Sequence, residues 1–197
     1  MIERQLDIAT KDGKSSTFIV HPDRGGPRPV ILFLMDAPAI REELRDMARR
    51  FASSGYYVML PNLYYRSGVM EIGPLSPDPE HPSRKKMFEL MNTLGISMVM
   101  DDCDGMLAFA AKDPAADTTR VGTVGYCMSG RFAICAADSR PNVKATASIY
   151  GVRLVTVPWA RPGSGFTLLF EGFAMALAMH MPVAVAAGFL GIEDKRL

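Results

Sequence analysis

Short apolar runs and helically spaced segments alternate along the first three quarters of the chain. Two short alternating runs, residues 6–9 and 16–20, flank an Asp-Gly turn and predict a β-hairpin. Continuous apolar runs are typical of strands that are buried on both faces. Such runs occupy residues 29–35, 56–60 and 120–124, and residues 143–151 are a further strand candidate.

Between these runs, apolar residues recur every three or four positions, as they do on one face of a helix. Residues 41–53 predict an amphipathic helix, which Gly55 is placed to end. Residues 96–112 and 131–137 predict two further helices. Because strands and helices alternate, we expect an α/β fold in three layers, with a mostly parallel central sheet and helices on both faces.

Two polar features interrupt this pattern. The proline-rich stretch 67–83 is long enough for a surface excursion near a functional site. Asp101, Asp102 and Asp104 lie close together in the second predicted helix, and we interpret them as a solvated helix face rather than a metal site. Cys-x-x-Cys and His-x-x-x-His spacings do not occur, so we expect neither a metal nor another cofactor.

The composition changes after about Arg153. Beyond it, Arg161 and Glu171 are the only charged residues up to Ile192. The stretch 172–192 is long enough to cross a bilayer, but its proline and many small residues are equally compatible with a buried helix followed by a strand. We therefore do not expect a membrane partner.

Overall composition narrows the class of protein further. The chain has 197 residues, of which 48% are hydrophobic and 22% charged, as in a globular domain with one full core. The formal net charge is +1, which gives no electrostatic basis for a nucleic-acid partner. The N-terminal residues lack the apolar segment of a secretory signal, and three cysteines cannot all pair within the chain. We expect free thiols and a cytoplasmic location.

The clearest chemical signal is the segment Gly125-Tyr126-Cys127-Met128-Ser129-Gly130, which joins a predicted strand to a predicted helix. A nucleophile set between glycines at such a turn is typical of a nucleophile elbow. The N-terminus of the following helix favours a thiolate on Cys127, and the backbone N–H of Met128 is aimed at the oxygen of a carbonyl under attack. A buried structural cysteine in a tight turn is the alternative.

A second donor to this oxyanion is expected in the loop after the strand at residues 29–35. Ala37 supplies a backbone N–H there, and Asp36 places a carboxylate near the sulfur. For Asp36, an N-terminal helix cap or a charge in the first helical turn is an alternative interpretation.

Residues 6–152 resemble the dienelactone hydrolase family, which are cysteine hydrolases of the α/β-hydrolase fold. The resemblance is carried by the elbow, by the Asp36 loop, by Leu-Pro-Asn-Leu-Tyr-Tyr-Arg at residues 60–66 and by Ile-Tyr-Gly at residues 149–151. It implies an α/β-hydrolase-like sandwich. We expect one domain over residues 1–197, whose C-terminal part, residues 153–197, is truncated or atypical.

The resemblance also implies roles for single residues. Cys127 matches the nucleophile, and Asp36 matches a carboxylate that contacts the resting thiol. By spacing, Arg84 matches an arginine that binds a substrate carboxylate, although a solvated arginine beside two lysines is the alternative. The implied substrates are small esters or lactones, and we expect a monomer or a homodimer.

The family's catalytic triad also contains an aspartate and a histidine, and the motifs that carry them are absent here. No aspartate occurs between Asp138 and Asp194. We predict that His21 and His81 are surface residues, which leaves His180 as the candidate base. A buried core histidine is the favoured alternative for His180.

Three explanations of the C-terminal part stay open. It is an altered end of a family member, for example a frame-shifted one; or a variant that rebuilt the site with His180 and Glu171; or the end of a non-catalytic relative. We predict that Cys127 is acylated by a reactive ester but turns over poorly, because hydrolysis of the thioester needs an activated water. The alternative function is a catalytically inactive relative with a reactive or structural thiol.

Overall fold

The structure is a computed structural model that describes residues 1–149. Within that range the chain forms six strands, four helices and two short 3₁₀ turns at Tyr65–Ser67 and Cys127–Ser129. The helices and strands are β1 (Ile2–Thr10), β2 (Gly13–His21), β3 (Arg28–Leu34), α1 (Glu42–Ser53), β4 (Tyr57–Pro61), α2 (Pro82–Asn92), α3 (Ile96–Ala110), β5 (Ala116–Tyr126), α4 (Gly130–Ser139) and β6 (Val143–Ile149).

The six strands form one sheet in the order β1-β2-β4-β3-β5-β6. The pairs β4–β3, β3–β5 and β5–β6 are parallel, whereas β2 pairs antiparallel with both β1 and β4. Every strand except β2 therefore runs in the same direction, which confirms a mostly parallel sheet. The carboxyl ends of β3, β4 and β5 meet at one edge, where open α/β sheets place their binding sites.

Helices cover both faces of the sheet, because neighbouring side chains of one strand contact helices on opposite sides. The Phe18 ring of β2 faces α1, where the Arg49 guanidinium lies 5.5 Å from the ring centre. The next side chain along, Thr17, lies on the other face, and its hydroxyl is 3.4 Å from Met106 Sδ of α3. The predicted three-layer arrangement is confirmed.

Helix α2 was not predicted from the apolar pattern. It buries only Met87 and Leu90, so its apolar face is too narrow to stand out in the sequence. Its start is fixed instead by a polar contact, since His81 Nδ1 accepts a hydrogen bond from the Ser83 backbone N–H at 3.2 Å. His81 is exposed, as predicted.

The prediction that His21 is a surface residue is wrong, because its side chain is only 5% exposed. Strand β2 extends through His21 and pairs it with Ile2. The imidazole stacks on the Tyr57 ring with centres 5.1 Å apart, and Nδ1 lies 2.8 Å from the Pro22 carbonyl oxygen. The aromatic contact shields the ring and the carbonyl satisfies one ring nitrogen.

The interpretation of the three aspartates of α3 as a solvated face is wrong for Asp102, which is 1% exposed. Its carboxylate accepts hydrogen bonds from the Arg66 guanidinium at 2.8 and 2.9 Å and from the Tyr65 hydroxyl at 2.9 Å. Asp104 is exposed, as expected, and Asp101 is half-buried in an ion pair with a lysine. Asp102 is buried because a cation from a distant segment neutralises it.

No helix within residues 1–149 is both long and apolar enough to cross a membrane. The stretch 172–192, for which a membrane span and a buried helix were weighed, lies outside the described residues.

Candidate active site

The segment 125–130 forms a tight turn between β5 and α4, as predicted for an elbow. Cys127 stands at its first 3₁₀ position, is exposed, and has a backbone φ of 53°. A left-handed conformation costs a residue with a Cβ roughly 1–2 kcal/mol. Cys127 is therefore an exposed thiol on a strained backbone, located between the carboxyl end of β5 and the N-terminus of α4.

The turn requires glycine at position 125. A Cβ built on Gly125 would lie 2.2 Å from the Ser129 carbonyl oxygen and 2.9 Å from the Gly130 nitrogen. Both contacts are with backbone atoms, which cannot move aside without opening the turn. The sequence-based expectation that glycine relieves crowding here is confirmed at this position.

Ser129 occupies a position where many elbows have a further glycine. Its side chain is fully buried, and its hydroxyl donates a hydrogen bond to the Met35 carbonyl oxygen just beyond the end of β3. This hydrogen bond of Ser129 connects the elbow to the start of the loop that contains Asp36 and Ala37.

That loop is a turn in which the Ala39 N–H donates to the Asp36 carbonyl oxygen at 3.2 Å. Ala37, inside the turn, is buried. Ala39 has a φ of 71° and pairs as an isolated β-bridge with Glu71. The polar stretch 67–83 therefore returns to the loop that carries the predicted oxyanion donor.

Tyr64 joins this loop to the elbow. Its hydroxyl donates a hydrogen bond to the Ala37 carbonyl oxygen at 3.0 Å and lies 3.3 Å from Met128 Sδ. The two residues predicted as oxyanion donors thus contact the same hydroxyl group, although they are far apart in the sequence. Burial, followed by the negative charges of Asp36 and Cys127, raises the pKa of Tyr64, so the hydroxyl stays protonated.

Sequence reasoning missed Tyr64 as a site residue. It was quoted only as part of the motif at residues 60–66. The signal that would have found it is its place just after the carboxyl end of central strand β4, where side chains face the site edge of the sheet.

The Asp36 carboxylate is bound by Arg41, with Nη1 and Nη2 at 2.6 and 2.9 Å from its two oxygens. Its interpretation as a helix cap is wrong, because Arg41 itself is the N-cap residue of α1 and no side chain caps that helix. The implied contact between Asp36 and the thiol stays a prediction. The charges of Asp36 and Cys127 nevertheless both act on Tyr64.

Arg84 lies on α2 and is half-buried. Its Nη1 lies 3.4 Å from the Ser76 carbonyl oxygen, while its buried Nε has no hydrogen-bond partner among residues 1–149. Arg84 is therefore packed against the polar stretch 67–83 rather than fully solvated, and its role in binding a substrate carboxylate stays a prediction.

A cavity of about 260 Å³ adjoins the elbow and is lined by Met91, Asn92, Leu94, Met128 and Arg131. The Arg131 guanidinium donates to the Leu94 carbonyl oxygen at 3.2 Å, which places the cation at the cavity wall. The cavity wall thus combines apolar side chains with one cation and one amide. His180 and Glu171, the candidate base and its possible companion from the sequence, lie outside the described residues.

Comparison with known proteins relates this chain to a group of hydrolases. The model of the dienelactone hydrolase family matches residues 16–169. A protein of Methylorubrum extorquens, provisionally named carboxymethylenebutenolidase, is 34% identical over 79% of this chain and 50% of its own length. A Synechocystis protein with the same provisional name is 27% identical over 81% of this chain and 61% of that protein. The chain spans about half the length of the first curated relatives it matches.

Solved structures have the same fold. A provisionally named dienelactone hydrolase from Klebsiella pneumoniae has a TM-score of 0.67 at 25% identity, over 79% of this chain and 62% of that one. A dienelactone hydrolase-like promiscuous phosphotriesterase from metagenomic libraries has a TM-score of 0.61 over 80% of this chain and 62% of that one. At 14% identity, the second similarity concerns the fold alone.

The C-terminal part is also similar to a different family. Residues 155–197 match the model of the helix-turn-helix domain of transposase family ISL3, and the first 15 of these residues, 155–169, fall in both matches. This second match begins close to the change in composition after Arg153.

The dienelactone hydrolase match covers well over half of the 197 residues, and it includes the elbow, the Asp36 loop and Tyr64. The described strands, helices and turn follow the same scaffold as the Klebsiella structure. This chain belongs to the dienelactone hydrolase family.

Proposed function

We propose that this protein acts on small esters or lactones through a thioester at Cys127. The thiolate sulfur attacks the carbonyl carbon and forms a C–S bond, and the C–O bond to the leaving oxygen breaks. The leaving group departs as an alkoxide or phenolate and takes its proton from water. The main observation in support of this proposal is that Cys127 is exposed and has a backbone φ of 53° in the turn before α4.

Two features support attack by this sulfur. The N-terminal end of a helix favours a negative charge, and Cys127 begins the 3₁₀ turn that leads into α4. The Met128 N–H and the Ala37 N–H are the proposed donors to the oxyanion, and their residues are held together through Tyr64. Each donor of such an oxyanion hole typically contributes a factor of about 10² to 10³ to the rate.

The cavity beside Met128 suggests where the substrate lies. Its volume of about 260 Å³ suits a small molecule, and its wall combines methionine and leucine side chains with the Arg131 cation. Small esters and lactones are uncharged at the reacting carbonyl and apolar over much of their surface. The mixture of apolar side chains and a cation in the cavity wall is consistent with the substrates named for the relatives. Arg131 is one candidate for contact with a substrate carboxylate, and Arg84 is a second.

Turnover needs a base that activates water, and the histidines of residues 1–149 do not provide one. His21 is packed against Tyr57, which begins β4, and so lies at the opposite end of that strand from Tyr64. His81 is engaged at the start of α2. His180 is the remaining candidate, and we expect the acyl-enzyme to accumulate because no family-type histidine motif surrounds it.

The test combines p-nitrophenyl acetate with intact-protein mass spectrometry. We expect a burst of nitrophenol with one acetyl group on Cys127, followed by slow turnover, and no acetylation of Cys127→Ala. Cys135→Ala is the matched control, because Cys135 is a half-buried thiol further along α4. Sustained turnover that His180→Ala abolishes would contradict the expected impairment and assign His180 as the base.

The second candidate function is a catalytically inactive relative that keeps a reactive or structural thiol, favoured by the absent triad motifs. Iodoacetamide labelling distinguishes the two kinds of thiol. A reactive Cys127 is alkylated much faster than Cys135 and the buried Cys103. Equal, slow labelling of all three would contradict both a reactive thiol and a hydrolase.

We further propose a monomer or homodimer in the cytoplasm, with no nucleic-acid partner. The net charge of +1 supports the last point, whereas the match of residues 155–197 makes it worth testing. Light scattering measures the oligomeric state, and a mobility-shift assay with duplex DNA at low salt tests the absence of a nucleic-acid partner.

A further inference from the structure

Tyr64 contacts both proposed oxyanion residues through a single side-chain atom. Its hydroxyl oxygen lies 3.0 Å from the Ala37 carbonyl oxygen and 3.3 Å from Met128 Sδ, in a side chain that is 1% exposed. We propose that Tyr64 is a positioning residue, whose hydroxyl sets the orientation of the Ala37 peptide relative to the elbow. This inference rests on the proposed function.

The hydroxyl has one proton, and its geometry determines where that proton goes. A carbonyl oxygen is a much better acceptor than a thioether, so the hydroxyl donates to Ala37 and packs against the Met128 sulfur. A hydrogen bond to the Ala37 carbonyl limits rotation of this residue in its turn. The direction of the Ala37 N–H, the proposed oxyanion donor, is limited with it.

Tyr64 is itself held on both sides in the chain. Asn62 Oδ1 accepts from the Tyr64 backbone N–H at 2.9 Å, and Asn62 Nδ2 donates to the Val69 carbonyl oxygen at 2.8 Å. On the other side, Tyr65 and Arg66 both bind the buried carboxylate of Asp102. These hydrogen bonds restrain the segment around Tyr64, so its buried hydroxyl has a defined position between the loop and the elbow.

The Tyr64 hydroxyl also remains a donor at alkaline pH. Burial and the negative charges of Asp36 and Cys127 raise the pKa of Tyr64 above its ordinary value of 10.0. The hydroxyl therefore stays protonated to a higher pH than that of an ordinary tyrosine, and it continues to donate to Ala37.

Tyr64→Phe removes only the hydroxyl, and Tyr57→Phe is the matched control. Tyr57 is also fully buried, and its hydroxyl donates to Asp113 at 2.9 Å, but it stands at the start of β4 rather than beyond its end. Two reagents separate positioning from thiol reactivity. Acylation by p-nitrophenyl acetate builds an oxyanion, whereas alkylation by iodoacetamide needs only the thiolate.

We expect Tyr64→Phe to slow acylation about tenfold, less than loss of a whole oxyanion donor, while iodoacetamide alkylation of Cys127 is unchanged. Tyr57→Phe should alter neither rate. Equal rates of acylation in Tyr64→Phe and wild type would overturn the positioning role, as would equal slowing with both reagents or loss of the fold. A wild-type protein that is never acylated at Cys127 would instead overturn the proposed function, and the role of Tyr64 with it.

Discussion

The Asp36 carboxylate and the Arg41 guanidinium form a bidentate ion pair, with oxygen–nitrogen distances of 2.6 and 2.9 Å. The pair lies between the oxyanion loop and the start of α1, and its hydrogen bonds raise the pKa of Arg41. Because Arg41 partly neutralises it, we expect Asp36 to present less negative charge to the elbow than an unpaired carboxylate would. Arg41 is thereby a candidate modulator of Cys127 that the sequence did not suggest.

Arg41→Gln should therefore make Cys127 less reactive at neutral pH. The unpaired Asp36 carboxylate would then disfavour a second negative charge, and we expect iodoacetamide alkylation of Cys127 to slow about tenfold. Asp36→Asn leaves the arginine unpaired and should speed the alkylation. Arg50→Gln, at an exposed arginine of the same helix, is the control. An alkylation rate that is the same in all three variants would show that the pair does not act on the thiol.

Gly125→Ala should prevent the elbow from closing. Its Cβ would lie 2.2 Å from a backbone oxygen, and we expect a loss of about 3 kcal/mol or more in the free energy of unfolding. Gly122→Ala in the same strand is the matched control, because its Cβ would meet nothing closer than 3.8 Å. We expect that variant to stay within about 1 kcal/mol of wild type. Urea denaturation measures both, and comparable losses would contradict the steric argument.

Three of the predicted segments have bounds within one residue of those observed, whereas the strand predicted at 120–124 extends over Ala116–Tyr126. The run at 29–35 became Arg28–Leu34, the run at 56–60 became Tyr57–Pro61, and the helix at 41–53 became Glu42–Ser53. These segments are buried along a full face or on both faces, so local pattern and tertiary burial agree. The elbow was predictable for a different reason, because a glycine-bracketed nucleophile between strand and helix is a local motif.

Features that depend on distant partners were not predictable. Asp102 looks like a solvated helix residue until Arg66, 36 positions away, binds its carboxylate. Tyr64 belongs to the site because its hydroxyl contacts Ala37 of the loop and Met128 of the elbow, which are both distant from it in the sequence. Local sequence patterns do not indicate contacts of this kind.

Asp102→Asn should destabilise the protein, because it removes the charge that neutralises Arg66 in a largely buried pair. Breaking such a pair costs about 3 kcal/mol, and somewhat less here because Arg66 also contacts Asp12 at 2.7 Å. Asp101→Asn is the control, since its partner Lys11 is 69% exposed. Its loss should stay below about 1 kcal/mol. Urea denaturation that ranks the two variants in the opposite order would contradict the buried-pair interpretation.

Stability should fall at alkaline pH, in part through Cys103. Burial raises the pKa of this thiol from 9.0 to about 12. Because the folded state holds the proton more tightly, the contribution is complete below pH 9.0 and is lost as the pH rises towards 12. Cys103→Val should flatten this decline by at most about 1.4 kcal/mol per pH unit, whereas Cys135→Val should not. Urea denaturation across this range, with reductant present, measures the slopes, and parallel curves for wild type and Cys103→Val would contradict the assignment.

The last prediction concerns the strain at the elbow itself. Cys127 has a φ of 53°, a conformation that glycine adopts freely and that costs other residues about 1–2 kcal/mol. Cys127→Gly and Cys127→Ala both remove the thiol, so neither is acylated, yet they should differ in stability. Glycine relieves this strain, but it also increases the conformational entropy of the unfolded chain. That entropy offsets about 0.5–1 kcal/mol of the stability gained from the relieved strain. We therefore expect Cys127→Gly to equal or exceed Cys127→Ala in the free energy of unfolding, the reverse of the order at an ordinary helical position. If alanine proves more stable by as much as it is in a helix, the elbow does not hold residue 127 in the left-handed conformation, and the strain at the proposed nucleophile is absent.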